Sequence, residues 1–328
     1  MSLPVPVTVV TGFLGAGKTT LVNAWLGGFA RGEVAVIVNE HGDIGIDGEL
    51  LAARVRTLVE ITGGCICCST QAELVHALDE LAATATPPRR ILIETSGAAS
   101  PAGVVTAIAS GGRSGAFVLD GVITVVDATR VNLLERHDLA VEQVGYADVV
   151  VLSRTDACDH VAIADATRVI AAHNGAAVVV ASARGEIAAP GSLDALLAAR
   201  DGELPVYRGP APKRMRHVYE SVSLSLDGDV DGDRFAEFIE TELAPFAGRI
   251  FRTKGILAVA GVDERMILQG VADLVEITFG APWDATPRHG RMVVVGYALD
   301  ADALRRGFAG CAAHVEDPAA PALADDPG

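Results

Sequence analysis

The sequence predicts an α/β protein in which a domain with a mainly parallel sheet is followed by a smaller α+β domain. Up to about Asp201, short apolar runs rich in β-branched residues alternate with helical patterns. Strands that are apolar on both faces are typical of a parallel sheet that helices cover on each side. After that point, a stretch rich in proline, glycine and basic residues leads to different strand patterns, which indicates a second domain.

The change of pattern divides the chain into four parts. We expect the first domain at residues 1–203, a linker at 204–216, the second domain at 217–314 and a disordered tail at 315–328. Alanine, aspartate and proline dominate the tail, so it carries too little apolar surface to fold on its own.

The elements of the first domain follow from runs of apolar residues between turn signals. Strands are expected in VTVVT, EVAVIVNE, RVRTLVEI, RRILIETSG, GVITVVDA, ADVVVLSRTDA and AAVVVASA. The stretches KTTLVNAWLGGF and TQAELVHALDELAATA have helical patterns. Thr70 and Glu73 have the spacing of a capping box, which predicts that Thr70 caps the second helix.

The second domain has the pattern of a largely antiparallel sheet with helices. Strands are expected in HVYESVSLSL, GRIFRTKGILAVAG, RMILQGVADLVEITF and RMVVVGYAL. Helices are expected in DGDRFAEFIETELAPF and DADALRRGFAGCAA.

Composition excludes several classes of protein. The net charge of −16 argues against binding to nucleic acid or to an anionic membrane, because both need basic surface. No apolar run reaches the roughly 18 residues that a membrane helix needs. The N-terminus lacks the basic segment of an export signal, so we expect a cytoplasmic protein with reduced thiols.

The stretch GFLGAGKT fits the pattern G-x-x-x-x-G-K-[ST] between a predicted strand and a predicted helix, which indicates a phosphate-binding P-loop. Its glycines let backbone N–H groups close around phosphate oxygens, and the helix N-terminus adds positive potential. Lys18 is expected to reach the β- and γ-phosphates, and Thr19 to bind Mg²⁺. The residues expected to contact the nucleotide here are Gly12, Gly15, Ala16, Gly17, Lys18, Thr19 and Thr20.

A P-loop enzyme needs a further acidic group near Mg²⁺. Glu94 ends a buried strand and is the first candidate, either holding a Mg²⁺-bound water or orienting the attacking one. Asp47 is the second, because it lies in the acidic, glycine-rich stretch NEHGDIGIDGEL, which has the composition of a mobile switch segment. The expected catalytic residues are therefore Lys18, Glu94 and Asp47.

The stretch from Ser153 to Asp156 resembles the guanine-binding motif N-K-x-D, with serine and arginine in the first two places. A carboxylate at Asp156 accepts two hydrogen bonds from guanine, which adenine does not offer. The aliphatic part of Arg154 would lie along the base. Ser153, Arg154 and Asp156 are therefore expected to bind the nucleotide.

Three of the five cysteines fall within four positions, at Cys65, Cys67 and Cys68. Thiolates suit Zn²⁺, Co²⁺ or Cu⁺, and the predicted helix start favours the thiolate form. Three thiolates leave a tetrahedral ion one ligand short, which Glu40, His41 or water would supply. A redox switch and plain packing are the alternatives.

Together these stretches resemble the CobW-like family of P-loop GTPases. The matching stretches are TGFLGAGKTT, VNEHGDIGIDGEL, VEITGGCICC, ILIETSGAASP and EQVGYADVVVLSRTD, with RIFRTKGILAVAG and GRMVVVGYALDADALRRGF in the second domain. The resemblance implies GTP and Mg²⁺ as cofactors, a transition metal (Zn²⁺ or Co²⁺) at the C-x-C-C site, and a client metalloprotein as partner. A second copy of the chain, in a nucleotide-dependent homodimer, is kept as an alternative partner.

The chain departs from the family pattern at several positions. Ser153 and Arg154 stand for Asn and Lys, His41 for a phenylalanine, Gly63 for Asn and Ser100 for Asp. The expected function is a GTP-hydrolysing metallochaperone. A P-loop kinase and a redox-sensing GTPase are kept as alternatives.

Overall fold

The computed structural model describes most of the 328-residue chain. The described residues are 4–30, 33–39, 58–60, 69–111, 115–187, 197, 219–271, 274–283 and 287–313.

An eight-stranded sheet forms the first domain. Its strands are β1 (Val5–Thr11), β2 (Val34–Asn39), β3 (Leu58–Glu60), β4 (Arg90–Thr95), β5 (Phe117–Asp127), β6 (Val149–Ser153), β7 (Val178–Ala183) and β8 (Glu186–Ile187). They lie in the order β3-β2-β4-β1-β5-β6-β7-β8, and only the β7–β8 pair is antiparallel among these described strands. The predicted, mainly parallel sheet is confirmed.

Helices cover both faces of this sheet. Successive residues of a strand point to opposite sides, so each strand supplies apolar residues to the cores on both faces. The helices are α1 (Lys18–Leu26), α2 (Ser69–Ala82), α3 (Ala102–Gly111), α4 (Asp138–Gly145) and α5 (His160–His173). Val9 and Ile93 belong to the core under α2 and α3, whereas Val10 and Leu92 belong to the core under α1. Apolar residues from α4 and α5 pack on the β5–β7 part of the sheet.

The predicted cap of α2 is wrong by two positions, because a capping residue immediately precedes the first helical residue. The helix begins at Ser69, so Thr70 is its second residue and does not occupy the capping position. A capping-box spacing places a helix start only approximately, because the pattern fixes the composition of the first turn more firmly than its first residue.

The second domain is a five-stranded antiparallel sheet with helices on one face. Its strands are β9 (Tyr219–Asp227), β10 (Ile250–Ala258), β11 (Glu264–Val271), β12 (Leu274–Pro282) and β13 (His289–Tyr297), in the order β12-β11-β10-β13-β9. The helices are α6 (Gly232–Phe238) and α7 (Ala301–Ala309). Phe235, Phe238 and Phe308 pack together between the helices and the sheet. The three boundaries predicted between the four parts of the chain fall at residues outside the described ranges.

A buried ion cluster joins the two sheets. Asp148, just before β6, accepts a hydrogen bond from the backbone N–H of Val122. Its other carboxylate oxygen lies 2.5 Å from Nη2 of Arg252 and 2.9 Å from Nζ of Lys254, both in β10. Phe251 of the same strand packs on Tyr146. The start of β6 is therefore the place where the second domain attaches.

Candidate nucleotide and metal site

The P-loop joins β1 to α1 in a conformation that requires glycine. Gly12, Gly15 and Gly17 have φ angles of 141°, 74° and 99°. A Cβ atom at Gly12 would lie 2.3 Å from the carbonyl oxygen of Val125 in β5. No side chain caps the start of α1 at Lys18, so its first backbone N–H groups are available to a phosphate.

Two predicted residues meet at the start of α1. The hydroxyl of Thr19 donates a hydrogen bond of 2.7 Å to Oε1 of Glu94, which is only 5 % exposed at the end of β4. Nζ of Lys18 donates to the carbonyl oxygen of Gly12 at 3.1 Å. A hydroxyl and a carboxylate at this distance offer the oxygen ligands that Mg²⁺ prefers.

The loop after β4 lies directly against the P-loop. A Cβ atom at Gly97 would lie 2.8 Å from the backbone nitrogen of Leu14 and 2.9 Å from Nζ of Lys18, so only glycine fits there. Gln143 in α4 donates hydrogen bonds to the carbonyl oxygens of Ala99 (3.1 Å) and Gly97 (3.4 Å). The helix is thus tied to the segment that faces Lys18.

A neighbouring residue of α4 makes a second tie to this loop. Ser100 donates a hydrogen bond of 2.6 Å to Oε1 of Glu142. Burial raises the pKa of the Glu142 carboxyl, and the hydrogen bond from Ser100 partly offsets this. Sequence reasoning missed Glu142 and Gln143, because no local spacing relates them to residues that precede them by more than forty positions.

Ser153 and Arg154 tie the end of β6 to the P-loop. The hydroxyl of Ser153 donates to the carbonyl oxygen of Ala16 at 2.7 Å. Nη2 of Arg154 donates to the carbonyl oxygen of Gly15 at 3.1 Å, and Nη1 lies 3.1 Å from Oδ2 of Asp127. The two substitutions in the guanine motif therefore keep this loop attached to the P-loop. The predicted contact of both side chains with the nucleotide stays a prediction.

Asp156 stands beside these ties with a partly exposed carboxylate. It lies in a short 3₁₀ turn, Thr155–Ala157, and Nε of Arg184 is 3.6 Å from its Oδ2. The hydroxyl of Thr155 donates to the carbonyl oxygen of Ser182 at 3.0 Å. This carboxylate contacts Arg184 and is still open to a ligand.

Sequence reasoning missed two parts of this region. Asp127 ends β5, and Arg184 and Gly185 form the two-residue turn between β7 and β8, with φ angles of 53° and 86°. Gly185 approaches Thr20 of α1, since a Cβ atom there would lie 3.1 Å from the Thr20 carbonyl oxygen. Their positions at the ends of predicted strands were the available signal, because polar residues at strand ends in a parallel sheet meet at one edge.

The predicted transition-metal ligands and the switch candidate lie outside the described residues. They are Glu40, His41, Asp47, Cys65, Cys67 and Cys68. Elsewhere, within the part of the chain that the structure describes, no group of three or more His, Cys, Asp or Glu residues is arranged to hold a metal ion.

The two remaining cysteines are free thiols. Cys311 is buried in the second domain, where burial raises its pKa to about 11, so it stays protonated at neutral pH. Cys158 is partly buried and packs beside α5. Both therefore fit a structural role.

Two family models match the chain. The model of the CobW/HypB/UreG nucleotide-binding domain matches residues 6–181, and that of the cobalamin synthesis protein cobW C-terminal domain matches residues 219–312. The chain belongs to the CobW family. The predicted resemblance is thereby confirmed, and so is the predicted class of P-loop GTPase with a CobW C-terminal domain.

Relatives of the CobW family resemble this chain over nearly its whole length. The chain is 32 % identical to the zinc chaperone YjiA of Escherichia coli over 94 % of this chain and 98 % of that protein. It is 34 % identical to the zinc chaperone CobW of Pseudomonas aeruginosa over 91 % of this chain and 89 % of that protein.

Solved structures of YjiA have the same fold. The crystal structure of Zn(II)-bound YjiA matches with a TM-score of 0.72 and 28 % identity, covering 95 % of this chain and all of that one. A Zn(II)-bound triple variant of YjiA, in which one glutamate and two adjacent cysteines are replaced by alanine, matches equally well over 94 % of this chain and 99 % of that one. Within the described residues, no helix has the length and apolar character needed to cross a membrane.

Proposed function

We propose that this CobW-family protein is a GTP-hydrolysing zinc chaperone, which binds Zn²⁺ in its GTP state and releases the ion to a client metalloprotein after hydrolysis. The observation that carries the proposal is the strand order β3-β2-β4. Glu40 follows β2 directly, and the C-x-C-C stretch follows β3. β2 lies directly beside β4, which carries Glu94, and β3 lies on the other side of β2.

The register of the strands supports this coupling. Asn39, the last residue of β2, pairs with Thr95, the residue after Glu94. Because Glu94 accepts the hydrogen bond from Thr19, a change at the nucleotide would reach Glu40, the residue after β2, through the pairing of β4 with β2.

We assign the nucleotide chemistry to residues at the carboxyl ends of the parallel strands. This edge of the sheet carries the P-loop, and we call it the nucleotide edge. Lys18 and the N-terminus of α1 bind the phosphates, and Asp47 approaches the γ-phosphate as part of the switch segment. Thr19 and Glu94 would hold Mg²⁺, which when bound neutralises charge on the β- and γ-phosphates. The carboxylate of Glu94 orients the attacking water, and Asp156 accepts hydrogen bonds from guanine.

The proposed Zn²⁺ ligands are the thiolates of Cys65, Cys67 and Cys68, with Glu40 or His41 completing the tetrahedron. Thiolates bind Zn²⁺ and Co²⁺, so the donor set alone leaves both open. We favour Zn²⁺ because both full-length relatives named above are zinc chaperones. Reduced thiols also require a reducing compartment, which supports the predicted cytoplasmic location.

The location of the zinc site needs its own test. The YjiA variant that lacks one glutamate and two cysteines still holds Zn(II), so zinc binding alone does not identify the C-x-C-C site. We expect the double variant Cys67→Ser/Cys68→Ser to lose about 100-fold or more in Zn²⁺ affinity, measured by competition against a chelator with Mg²⁺ and a non-hydrolysable GTP analogue.

The matched control is Cys158→Ser, which removes a thiol at the nucleotide edge but outside the proposed ligand set. It should bind Zn²⁺ as the wild type does, and all three proteins should bind GTP equally. Unchanged Zn²⁺ affinity in the double variant would contradict the proposed site. Peroxide-sensitive activity without tight Zn²⁺ binding would favour a redox sensor instead.

A further inference from the structure

Asp127 ends β5 beside the guanine motif, and its two carboxylate oxygens have different partners. Oδ1 accepts hydrogen bonds from the backbone N–H of Thr129 (2.9 Å) and from its hydroxyl (2.7 Å), which caps the short 3₁₀ helix that follows. Oδ2 lies 3.1 Å from Nη1 of Arg154. The carboxylate is 5 % exposed, so it is fixed in place before any ligand binds.

Arg154 has a backbone conformation that residues other than glycine rarely adopt. Its φ of 56° lies in the left-handed region, which is strained for a residue other than glycine. This residue immediately precedes the turn that carries Asp156. Arg154 therefore stands at the start of the turn that carries Asp156, and a shift of its backbone would move that turn.

The guanidinium of Arg154 is held at two points, the carbonyl oxygen of Gly15 and the carboxylate of Asp127. These two contacts come from different elements, the P-loop and the end of β5. They fix the side chain in one orientation and so stabilise its strained backbone. A lysine in this position would present a single ammonium nitrogen and lacks the planar fork with which arginine contacts two acceptors from separate nitrogens.

The strength of the ion pair between Arg154 and Asp127 indicates whether it serves the stability of the fold or the orientation of the loop. The Arg154 side chain is 55 % exposed, and an ion pair with such an exposed partner contributes little to folding because water screens it. A contact this weak adds little to the fold, whereas the bidentate contact of a carboxylate with guanine depends strongly on orientation.

We infer that Asp127 is a positioning residue for guanine recognition, which acts through Arg154 on the Asp156 carboxylate. The arginine thus replaces the lysine of the usual motif only because β5 ends in a carboxylate that binds it. This inference rests on the proposed role of Asp156 as the group that contacts the base.

The test compares guanosine diphosphate with inosine diphosphate, which lacks the 2-amino group and so one hydrogen bond to Asp156. In the wild type we expect GDP to bind about tenfold more tightly. Asp127→Asn keeps the shape of the side chain and removes its charge. It should weaken GDP binding about fivefold and inosine diphosphate binding much less, so that the selectivity falls to about twofold.

Asp120→Asn is the matched control. Asp120 is in the same strand, β5, and accepts a hydrogen bond from Arg90 near the opposite edge of the sheet. Its replacement removes the same charge and should leave the selectivity unchanged. A double-mutant cycle of Asp127→Asn with Arg154→Gln should be non-additive, because either change alone breaks the same link. Arg154→Gln provides the same readout if Asp127→Asn does not fold.

Two results would overturn the inference. One is equal loss of affinity for both nucleotides in Asp127→Asn, and the other is additivity with Arg154→Gln. Asp156→Asn checks the assignment beneath it, since xanthine carries an oxygen where guanine carries the amino group and should now be preferred. If that change leaves the preference for guanine intact, the proposed base site itself is wrong, and this inference fails with it.

Discussion

The two ends of β6 each carry an ion pair, and solvent reaches them very differently. At the start, Asp148 is fully buried and contacts Arg252 and Lys254 of the second sheet, whose side chains are 3 % and 4 % exposed. At the other end, the buried Asp127 of β5 pairs with Arg154, which is 55 % exposed. One arrangement joins domains, and the other stands at the nucleotide edge.

The difference follows from the cost of moving charge out of water. When one member of a buried pair is removed, the remaining charge stays without compensation, which typically costs about 3–5 kcal/mol. When a half-exposed pair is broken, water solvates the freed cation and the cost is about 1 kcal/mol or less. The start of β6 is therefore suited to holding a fixed domain arrangement, and its end to a contact that can adjust to a ligand.

Asp148→Ala should have the largest effect on stability. It removes the carboxylate beside two buried cations and should lower the free energy of unfolding by about 4 kcal/mol in urea denaturation. Loss of the contact should also separate the unfolding of the two domains into two transitions. A loss below about 1 kcal/mol would contradict the view that this cluster joins the domains.

His173 extends the comparison of buried and half-exposed charged groups. It is buried at the end of α5, before the start of β7. Burial lowers its pKa from 6.5 to about 4, and the charge of Glu135 offsets this only in part. Between these two values the unfolded chain binds a proton that the folded chain does not. As far as it depends on His173, the free energy of unfolding is therefore highest above about pH 6.5 and decreases as the pH falls towards 4.

The expected loss over this window is about 3 kcal/mol. Denaturation at several pH values should show it in the wild type, and His173→Gln should lack that part of the slope whatever its absolute stability. Parallel curves for the two proteins would show that His173 does not titrate as its burial indicates.

Glu94→Gln tests the nucleotide edge itself. The amide can still accept the hydrogen bond from Thr19, but it lacks the charge needed to orient water beside Mg²⁺. GTP hydrolysis should slow by about 100-fold, while GDP affinity stays within about threefold. Single-turnover kinetics and equilibrium binding separate the two effects, and a variant that hydrolyses GTP at the wild-type rate would remove Glu94 from the mechanism.

The smallest stability effect is expected at the end of β5. Asp127→Asn should change the free energy of unfolding by about 1 kcal/mol or less, because asparagine can still cap the backbone of Thr129 and Arg154 is half exposed. Thermal unfolding beside Asp120→Asn measures this directly. A loss comparable to that of Asp148→Ala would mean that both ends of β6 are structural.

Local patterns predicted one half of the nucleotide edge. The P-loop and Glu94 were found because their residues lie directly after apolar strands, and such positions meet at one edge of a parallel sheet. Thr70 was wrongly assigned as a cap because the spacing of a capping box fixes a helix start only to within one or two residues.

Contacts that depend on strand order were not predicted. Asp127 meets Arg154 only because β5 lies beside β6, and Asp148 meets Arg252 across 104 positions of sequence. Neither the spacing nor the residue types mark these pairs before the sheet order is known. Gln143 reaches Gly97 for the same reason.

If the nucleotide controls the affinity for zinc, a competition titration will show the coupling between the two sites. The wild type should be titrated with Zn²⁺ against a chelator in three states: with Mg²⁺ and a non-hydrolysable GTP analogue, with Mg²⁺ and GDP, and without nucleotide. We expect the affinity to be about tenfold higher with the GTP analogue than with GDP, a typical coupling between two sites. Equal affinity in all three states would contradict the account.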